Sequence, residues 1–280
     1  MSGIVDAVDA LSRLPGIPEQ VEAAREACTR LRWHEGLRRR TPEAAAESRV
    51  RGAWASGDLE GARTSVGIVR DVMRGAATWS EAPDPAERVL RGVVAATAES
   101  ERVEPLLGRA PLQVFARLHT AAAAGLVEDG QLGRPRAAGE VCRELVDLGT
   151  PPASAEARER LAAVGDLLLA APELPALVVV AVVHAEIATA RPFVRGNGVV
   201  ARAVERAAVH ALGLDPTGVA VPEAGHRAVG ATAYLGALAA YGTGTPEGVA
   251  LWITHCAKAI RAAAVEGEAV AAAVRAGRLG

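Results

Sequence analysis

The sequence predicts an all-helical protein. Half of its 280 residues are hydrophobic and only 3% are aromatic, so the core rests on Ala, Val and Leu rather than on rings. Alanine is the best helix former, and Ala-Arg-Glu-Leu runs fill much of the chain. Apolar residues recur at spacings of three and four, as on amphipathic helices. A chain of this length buries a substantial core, roughly three quarters of its unfolded surface.

The elements follow in order. Pro18 opens the pattern PEQVEAAREACTRLR over residues 18–32. Thr41 reads as an N-cap, with Pro42 at the first helical position and Glu43 behind it. That helix should approach Trp54, a packing anchor, and break at ASGDLEGAR, residues 55–63. Helical patterns resume over residues 64–74, 85–99 and 111–126. GQLGRPRAAG, residues 130–139, reads as an irregular or hairpin-like connection. A Ser154 cap should start a helix ending before Pro172. ELPALVVVAVVHAEIATA, residues 173–190, is apolar on every side. Its valines alone would suit a strand, but its length and Ala-rich flanks favour a buried central helix. Further helices are expected over residues 199–212, 222–241 and 246–265, with an Ala-rich frayed tail from Glu266.

Net charge is −2 and the isoelectric point about 6.3. Neither points to nucleic acid or a membrane surface. Lys258 is the sole lysine among 31 basic residues, which reads as genomic base composition. The three cysteines, Cys28, Cys142 and Cys256, form no CxxC pair. They read as core residues in a reducing cytoplasm. Asp6 and Asp9 sit where a signal peptide would be apolar. The longest apolar run, residues 174–183, is too short to cross a bilayer.

TARPFVRGNGVVAR, residues 189–202, looks built to hold a phosphate. A glycine-rich turn entering a helix offers free N–H groups and the positive end of the helix dipole. Gly196 and Gly198 can take positive φ, and Asn197 adds a side-chain donor. Arg191, Arg195 and Arg202 flank the turn. The alternative is an ordinary helix start with solvated arginines.

RPFVRGNGVVAR resembles the Fic motif, H-P-F-x-[D/E]-G-N-G-R-x-x-R. Pro192, Phe193, Gly196, Asn197, Gly198 and Arg202 match it. The resemblance covers residues 111–265 well and the N-terminal helices more loosely. It implies the Fic helical bundle with a short β-hairpin flap at GQLGRPR, and an anion hole at the Gly-Asn-Gly turn for nucleotide phosphates, usually those of ATP. Three parts are implied: residues 1–110, an N-terminal helical region with an inhibitory-type helix; 111–265, the Fic-like core; and 266–280, a C-terminal tail. Ser56, Glu60 and Gly61 resemble the family's inhibitory signature, [S/T]-x-x-x-E-[G/N], whose glutamate pairs with the motif's last arginine, here Arg202. That pairing keeps the γ-phosphate from docking productively. Without the resemblance, the same residues would read as a helix end with a glycine C-cap.

Three motif positions depart from the family. Arg191 stands where the resemblance puts the catalytic histidine, and arginine cannot act as a base near neutral pH. Arg195 stands at the acidic position that binds Mg²⁺ and has no oxygen to give a hard cation. Val199 replaces a phosphate-holding arginine. The site is thus about two charges more positive than its family counterpart, so a nucleotide or polyanion could bind without Mg²⁺. His184, two turns before Arg191, reads as a hydrogen-bonded core histidine. Glu186 could orient it or pair locally. His34, His119, His210, His226 and His255 show no metal-ligand spacing.

No intact catalytic residue or metal site is expected. The resemblance implies a cytoplasmic Fic-like pseudoenzyme that keeps a nucleotide site at Arg195, Gly196, Asn197, Gly198 and Arg202, with ATP as ligand and a protein target or partner. Standard AMP transfer should be weak or absent. Two rivals stand beside this reading: an active transferase with a non-standard base or donor, and a non-catalytic helical scaffold.

Overall fold

The computed structural model describes residues 2–278. Helices α1 (Ser2–Ser12), α2 (Ile17–Arg32), α3 (Thr41–Leu59), α4 (Val66–Met73) and α5 (Pro85–Val103) form the N-terminal part. They are followed by α6 (Pro111–Ala123), α7 (Ser154–Ala170), α8 (Ala176–Ala190), α9 (Asn197–Ala211), α10 (Pro222–Val229), α11 (Ala231–Tyr241) and α12 (Pro246–Arg275). There is no strand among the described residues. The expected β-hairpin flap is absent there. Residues 129–131 make one 3-10 turn, and the arginine-rich stretch beyond it folds on its own side chains. Arg134 donates to Glu140 at 2.7 Å and to the Gly130 carbonyl at 2.6 Å, and Glu140 accepts from the Ala137 N–H at 2.5 Å, so side chains rather than strand pairing close this loop.

Several helix ends differ from expectation. Thr41 is the first helical residue rather than the cap, and its hydroxyl donates to the Leu37 carbonyl at 3.0 Å. Ser154 likewise opens α7 from inside, with Ala153 at the cap and no side-chain bond. α3 runs through the expected break to Leu59. The single helix expected over 222–241 is two, divided at Gly230, whose φ of +110° lies outside helical space. α1 had no counterpart in the sequence reading. The tail is not frayed: α12 continues to Arg275 because Val270, Ala271 and Val274 remain buried.

The valine-rich stretch is the buried central helix, α8. Twelve of its fifteen residues are buried, against α7, α9 and α12. Burial on all sides removes any amphipathic period, so β-branched residues that disfavour an isolated helix are held there by packing. Trp252 of α12 is fully buried and donates its indole N–H to the Ala181 carbonyl of α8 at 2.7 Å. Small residues let the helices close up. A Cβ on Gly225 of α10 would run into the Ala259 carbonyl of α12. All three cysteines are buried, and burial pushes the Cys28 thiol up to about 12. No helix among the described residues is long and apolar enough to cross a membrane.

Candidate anion-binding site

α8 ends at Arg191, whose φ of +45° turns the chain sharply. The turn reverses again at Gly196, φ +84°, and α9 begins at Asn197. Asn197 closes the loop between them. Its Oδ1 accepts from the Phe193 N–H at 2.9 Å and its Nδ2 donates to the Phe193 carbonyl at 3.0 Å. Phe193 is buried and stacks on His119 of α6, ring centroids 4.0 Å apart. His119 Nδ1 accepts from Gly133 N–H at 3.0 Å, which leaves Nε2–H to donate to the Arg195 carbonyl at 3.1 Å. The sequence reading missed this brace, because His119 lies far from the motif and has no spacing to mark it. Pro192 is tied down as well: its carbonyl accepts from the Arg136 N–H at 2.7 Å.

The amides at the start of α9 point at a carboxylate of the chain itself. Glu144 Oε1 accepts from the Gly196 N–H at 2.6 Å. Its Oε2 accepts from the Asn197 N–H and Nδ2, both at 3.0 Å. The carboxylate stands where a phosphate oxygen would sit on these donors. Burial pushes the Glu144 pKa up, the nearby Glu60 charge adds to that, and the amide bonds oppose it. Glu144 returns one of the negative charges that the motif lost. No sequence signal marked it, since it lies 52 residues before Gly196 in an irregular segment.

The Glu60–Arg202 pair forms. Glu60 Oε1 accepts from Arg202 Nη2 at 2.5 Å, and the Ser56 hydroxyl accepts from Arg202 Nε at 2.9 Å. Arg202 is buried. Burial weighs against its charge, but Glu60 and Tyr234 outweigh that and hold its pKa above the ordinary value. Ser56, Glu60 and Gly61 are also a helix terminus. Gly61, φ +78°, lets Ala62 N–H reach the Gly57 carbonyl at 2.8 Å while its own N–H reaches the Asp58 carbonyl at 3.0 Å. This is a Schellman end with Glu60 at the cap, so the helix-end reading and the pairing describe the same residues. Gly198 admits the pair, because a Cβ there would lie 2.8 Å from Glu60 Oε1.

The other two arginines do not join the hole. Arg195 is half-exposed, with Nε 4.0 Å from Glu144 Oε1. Arg191 is buried and turned to the backbone of the segment that carries Glu144. Its Nη1 donates to the Gly149 carbonyl at 2.8 Å and to Leu145 at 3.2 Å. Leu145 itself has φ +49°, a left-handed conformation that branched or bulky residues adopt only when held. Val199 is buried. The carboxylates near the turn are both engaged, Glu60 by Arg202 and Glu144 by the amides. This donor set therefore offers a divalent cation nothing in the arrangement seen, while its N–H groups suit an oxyanion.

This helical architecture has counterparts among solved structures. A Fic family protein from Desulfovibrio desulfuricans G20 superposes with a TM-score of 0.69 at 20% identity, over 90% of this chain and 74% of that one. Fic-1 (residues 134–508) from C. elegans gives 0.62 at 16%, over 97% and 74%. A Fic domain containing signaling protein from Bacteroides thetaiotaomicron VPI-5482 gives 0.63 at 11%, over 90% and 98%. The fold is the Fic fold. No family model matches the chain, and no curated protein matches it in sequence.

Within this Fic fold, His184 faces away from the turn. It is fully buried in a network that sequence spacing did not reveal, because its members come from distant places in the chain. Arg202 Nη1 approaches the Tyr234 hydroxyl at 3.5 Å, and that hydroxyl meets His184 Nε2 at 2.8 Å. His184 Nδ1 meets Glu205 Oε2 at 2.6 Å. His226 Nε2 meets the same oxygen at 2.8 Å, and His255 Nε2 meets His226 Nδ1 at 3.1 Å. One set of neutral tautomers satisfies every contact, with Glu205 accepting from both rings. Burial pushes Glu205 up, but the two histidines outweigh it and hold the carboxyl below its usual range. The ligand atoms of His184, Glu205 and His226 lie within 4.8 Å of one another. Their closest separations are hydrogen bonds, however, shorter than the about 3.3 Å expected between two ligands of a tetrahedral zinc. Glu186 pairs with Arg160 and Tyr241, at 2.8 and 2.7 Å, and not with His184.

Burial draws His119 down to about 4 and His255 to about 3. Unfolded, both titrate near 6.5. Between those values the unfolded chain binds protons that the folded one refuses. Stability is therefore complete above about pH 6.5. It falls as pH drops below that, each histidine contributing a slope of about 1.4 kcal/mol per pH step of one. Urea midpoints should decline steadily as pH is lowered from about 6.5 to 4.5; a midpoint flat over that range would contradict neutral burial.

Proposed function

We propose that this chain binds a nucleotide, ATP foremost, or another polyanion at the Gly196-Asn197-Gly198 turn, and that its resting site is held shut by two of its own carboxylates. The observation that carries the reading is the occupancy of the turn. Gly196 and Asn197 N–H groups and the Asn197 side chain all converge on one carboxylate, while Arg202, a further phosphate-binding candidate, is held by Glu60. Donors of this kind recognise phosphate as readily as carboxylate. Arg195, beside Glu144, would meet the ligand's charge in place of Mg²⁺.

AMP transfer to a protein hydroxyl is proposed to be weak or absent. Arg191 cannot accept a proton and is engaged with carbonyls, and His184 is dry and already bonded at both nitrogens. Loss of a general base costs roughly 10²–10⁴-fold. A scaffold reading has one observation in its favour: Glu144 completes the hydrogen bonding of the turn, which then needs no ligand.

Calorimetric titration of ATP, with and without Mg²⁺, into wild type and Glu60→Gly separates these readings. Weak binding to wild type, tighter binding to the variant and little response to Mg²⁺ are expected. No binding to either, nor to a variant that also lacks the Glu144 carboxylate, would leave the scaffold reading. A sharp gain with Mg²⁺ on metal-stripped protein would refute the part given to Arg195.

A further inference from the structure

Arg191 is a buried cation without a carboxylate partner among the described residues. Its Nη1 is engaged with the Glu144, Leu145 and Gly149 carbonyls, and Nε reaches the Thr189 carbonyl at 3.4 Å. Nη2 meets no acceptor among the described residues. Burial depresses its pKa, and the nearby Arg136 and Arg160 charges depress it further. Isolated buried charge is costly unless something compensates it.

Arg191 lines a cavity of about 220 Å³ whose lining includes none of Gly196, Asn197 and Gly198. Arg160 lines it too. Its Nε is paired with Glu186 and its Nη2 donates to the Thr189 hydroxyl at 2.7 Å, which leaves Nη1 without an acceptor among the described residues. Thr150, at the rim, has a hydroxyl with no protein partner among the described residues. Leu148, Leu238 and Ala239 supply apolar wall. Arg191 and Arg160 thus line one cavity, and Glu186, bound to Arg160, is the one carboxylate paired with either of them among the described residues.

We propose that this cavity is a binding site for a small oxyanion, a phosphate or carboxylate group, held by Arg191 Nη2, Arg160 Nη1 and the Thr150 hydroxyl. Guanidinium groups bind either anion through paired N–H donors, and the leucines would accept a short apolar portion of the same molecule. The site is separate from the turn in its residues, since the lining includes none of Gly196, Asn197 and Gly198. It also coexists with the closed turn, since Arg191 holds residues 144–149 through Nη1 and leaves Nη2 for a ligand. It does not depend on the nucleotide reading.

The test uses the full chain, inorganic phosphate and acetate as probes in solution, and selenate soaked into crystals to locate the anion. Phosphate or acetate should bind in the millimolar range at matched ionic strength, and the tighter of the two identifies the class. Arg160→Gln, at a partly exposed position and with its fold checked by circular dichroism, should weaken that binding about tenfold or more. Arg191→Lys should weaken it similarly. Selenate should lie within hydrogen-bond distance of both arginines. Selenate found only on the Gly196 and Asn197 amides, affinity unchanged in Arg160→Gln, or no binding of either probe below about 10 mM would each overturn the proposal.

Discussion

Glu144→Ala is expected to bind ATP about 10- to 100-fold more tightly than the wild-type protein. A phosphate can reach the Gly196 and Asn197 N–H groups only after the carboxylate leaves them. Hydrogen bonds to a charged group contribute about 1.5–3 kcal/mol net, and that is what the ligand must otherwise displace. The Glu144 side chain is 18% exposed, so truncation opens the amides to water rather than leaving a dry cavity, and the thermal midpoint should fall by no more than that same energy implies, about 3–12 °C. Glu60→Gly frees a different set of atoms, Arg202 Nη2 rather than the amides. If the two closures act separately, the gains multiply in the double variant. Burial and the Glu60 charge raise the Glu144 pKa, so wild-type binding should strengthen as pH falls toward protonation of that carboxyl. The Glu144→Ala variant should lose that component. Equal ATP affinity for Glu144→Ala and wild type by calorimetry would show that the carboxylate does not guard the turn.

Glu205→Ala is expected to lose about 3–5 kcal/mol of stability, because it leaves two buried N–H donors unsatisfied at about 1–3 kcal/mol each. In thermal midpoint this is about 6–20 °C for a chain of roughly this size. Glu205 is completely buried and accepts from two buried imidazoles. Without it, two N–H groups lose their only compensation. The Tyr234 hydroxyl joins the network to Arg202, so the loss should spread to the Glu60 contact. Tyr234→Phe breaks that join while keeping the ring. It should be much milder in stability, and calorimetric unfolding of the two variants side by side checks the ordering. A Glu205→Ala midpoint close to that of wild type would show that the imidazoles find other partners.

The fold was legible because its signals are repetitive. α2, α5 and α6 carry apolar residues at helical spacing, and α8 betrayed its burial by having no polar face at all. Boundaries were less legible. Thr41 and Ser154 have the chemistry of caps, yet tertiary packing starts each helix one residue earlier than a cap would. The tail reads as frayed only until Leu31 and Val219 are set against Gly267. At the site, the turn and the Glu60–Arg202 pair follow from motifs whose members sit at fixed offsets. Glu144, His119 and the Glu205 network do not. Each is defined by a partner far away in the chain, and a single sequence has no period or spacing that records such a meeting. Arg191 was legible as something that cannot be a base, but its attachment to carbonyls 144–149 was not.

α9 behaves as the fixed jaw of a clamp. Its first residues carry the anion-binding amides and its second turn carries Arg202. Glu205 and Arg206 follow, the one locked to His184 and His226, the other to Glu223 at 2.7 Å and to Ser48. A helix pinned on successive faces has little room to shift toward a ligand. On the proposed reading, access would then be governed by the two covers, Glu60 at the end of α3 and Glu144 in the irregular stretch before α7. The threshold for occupancy is set by how firmly those two covers close. On the proposed nucleotide reading, substitutions at 140–150 would therefore tune occupancy while the Arg-Gly-Asn-Gly turn stays unaltered.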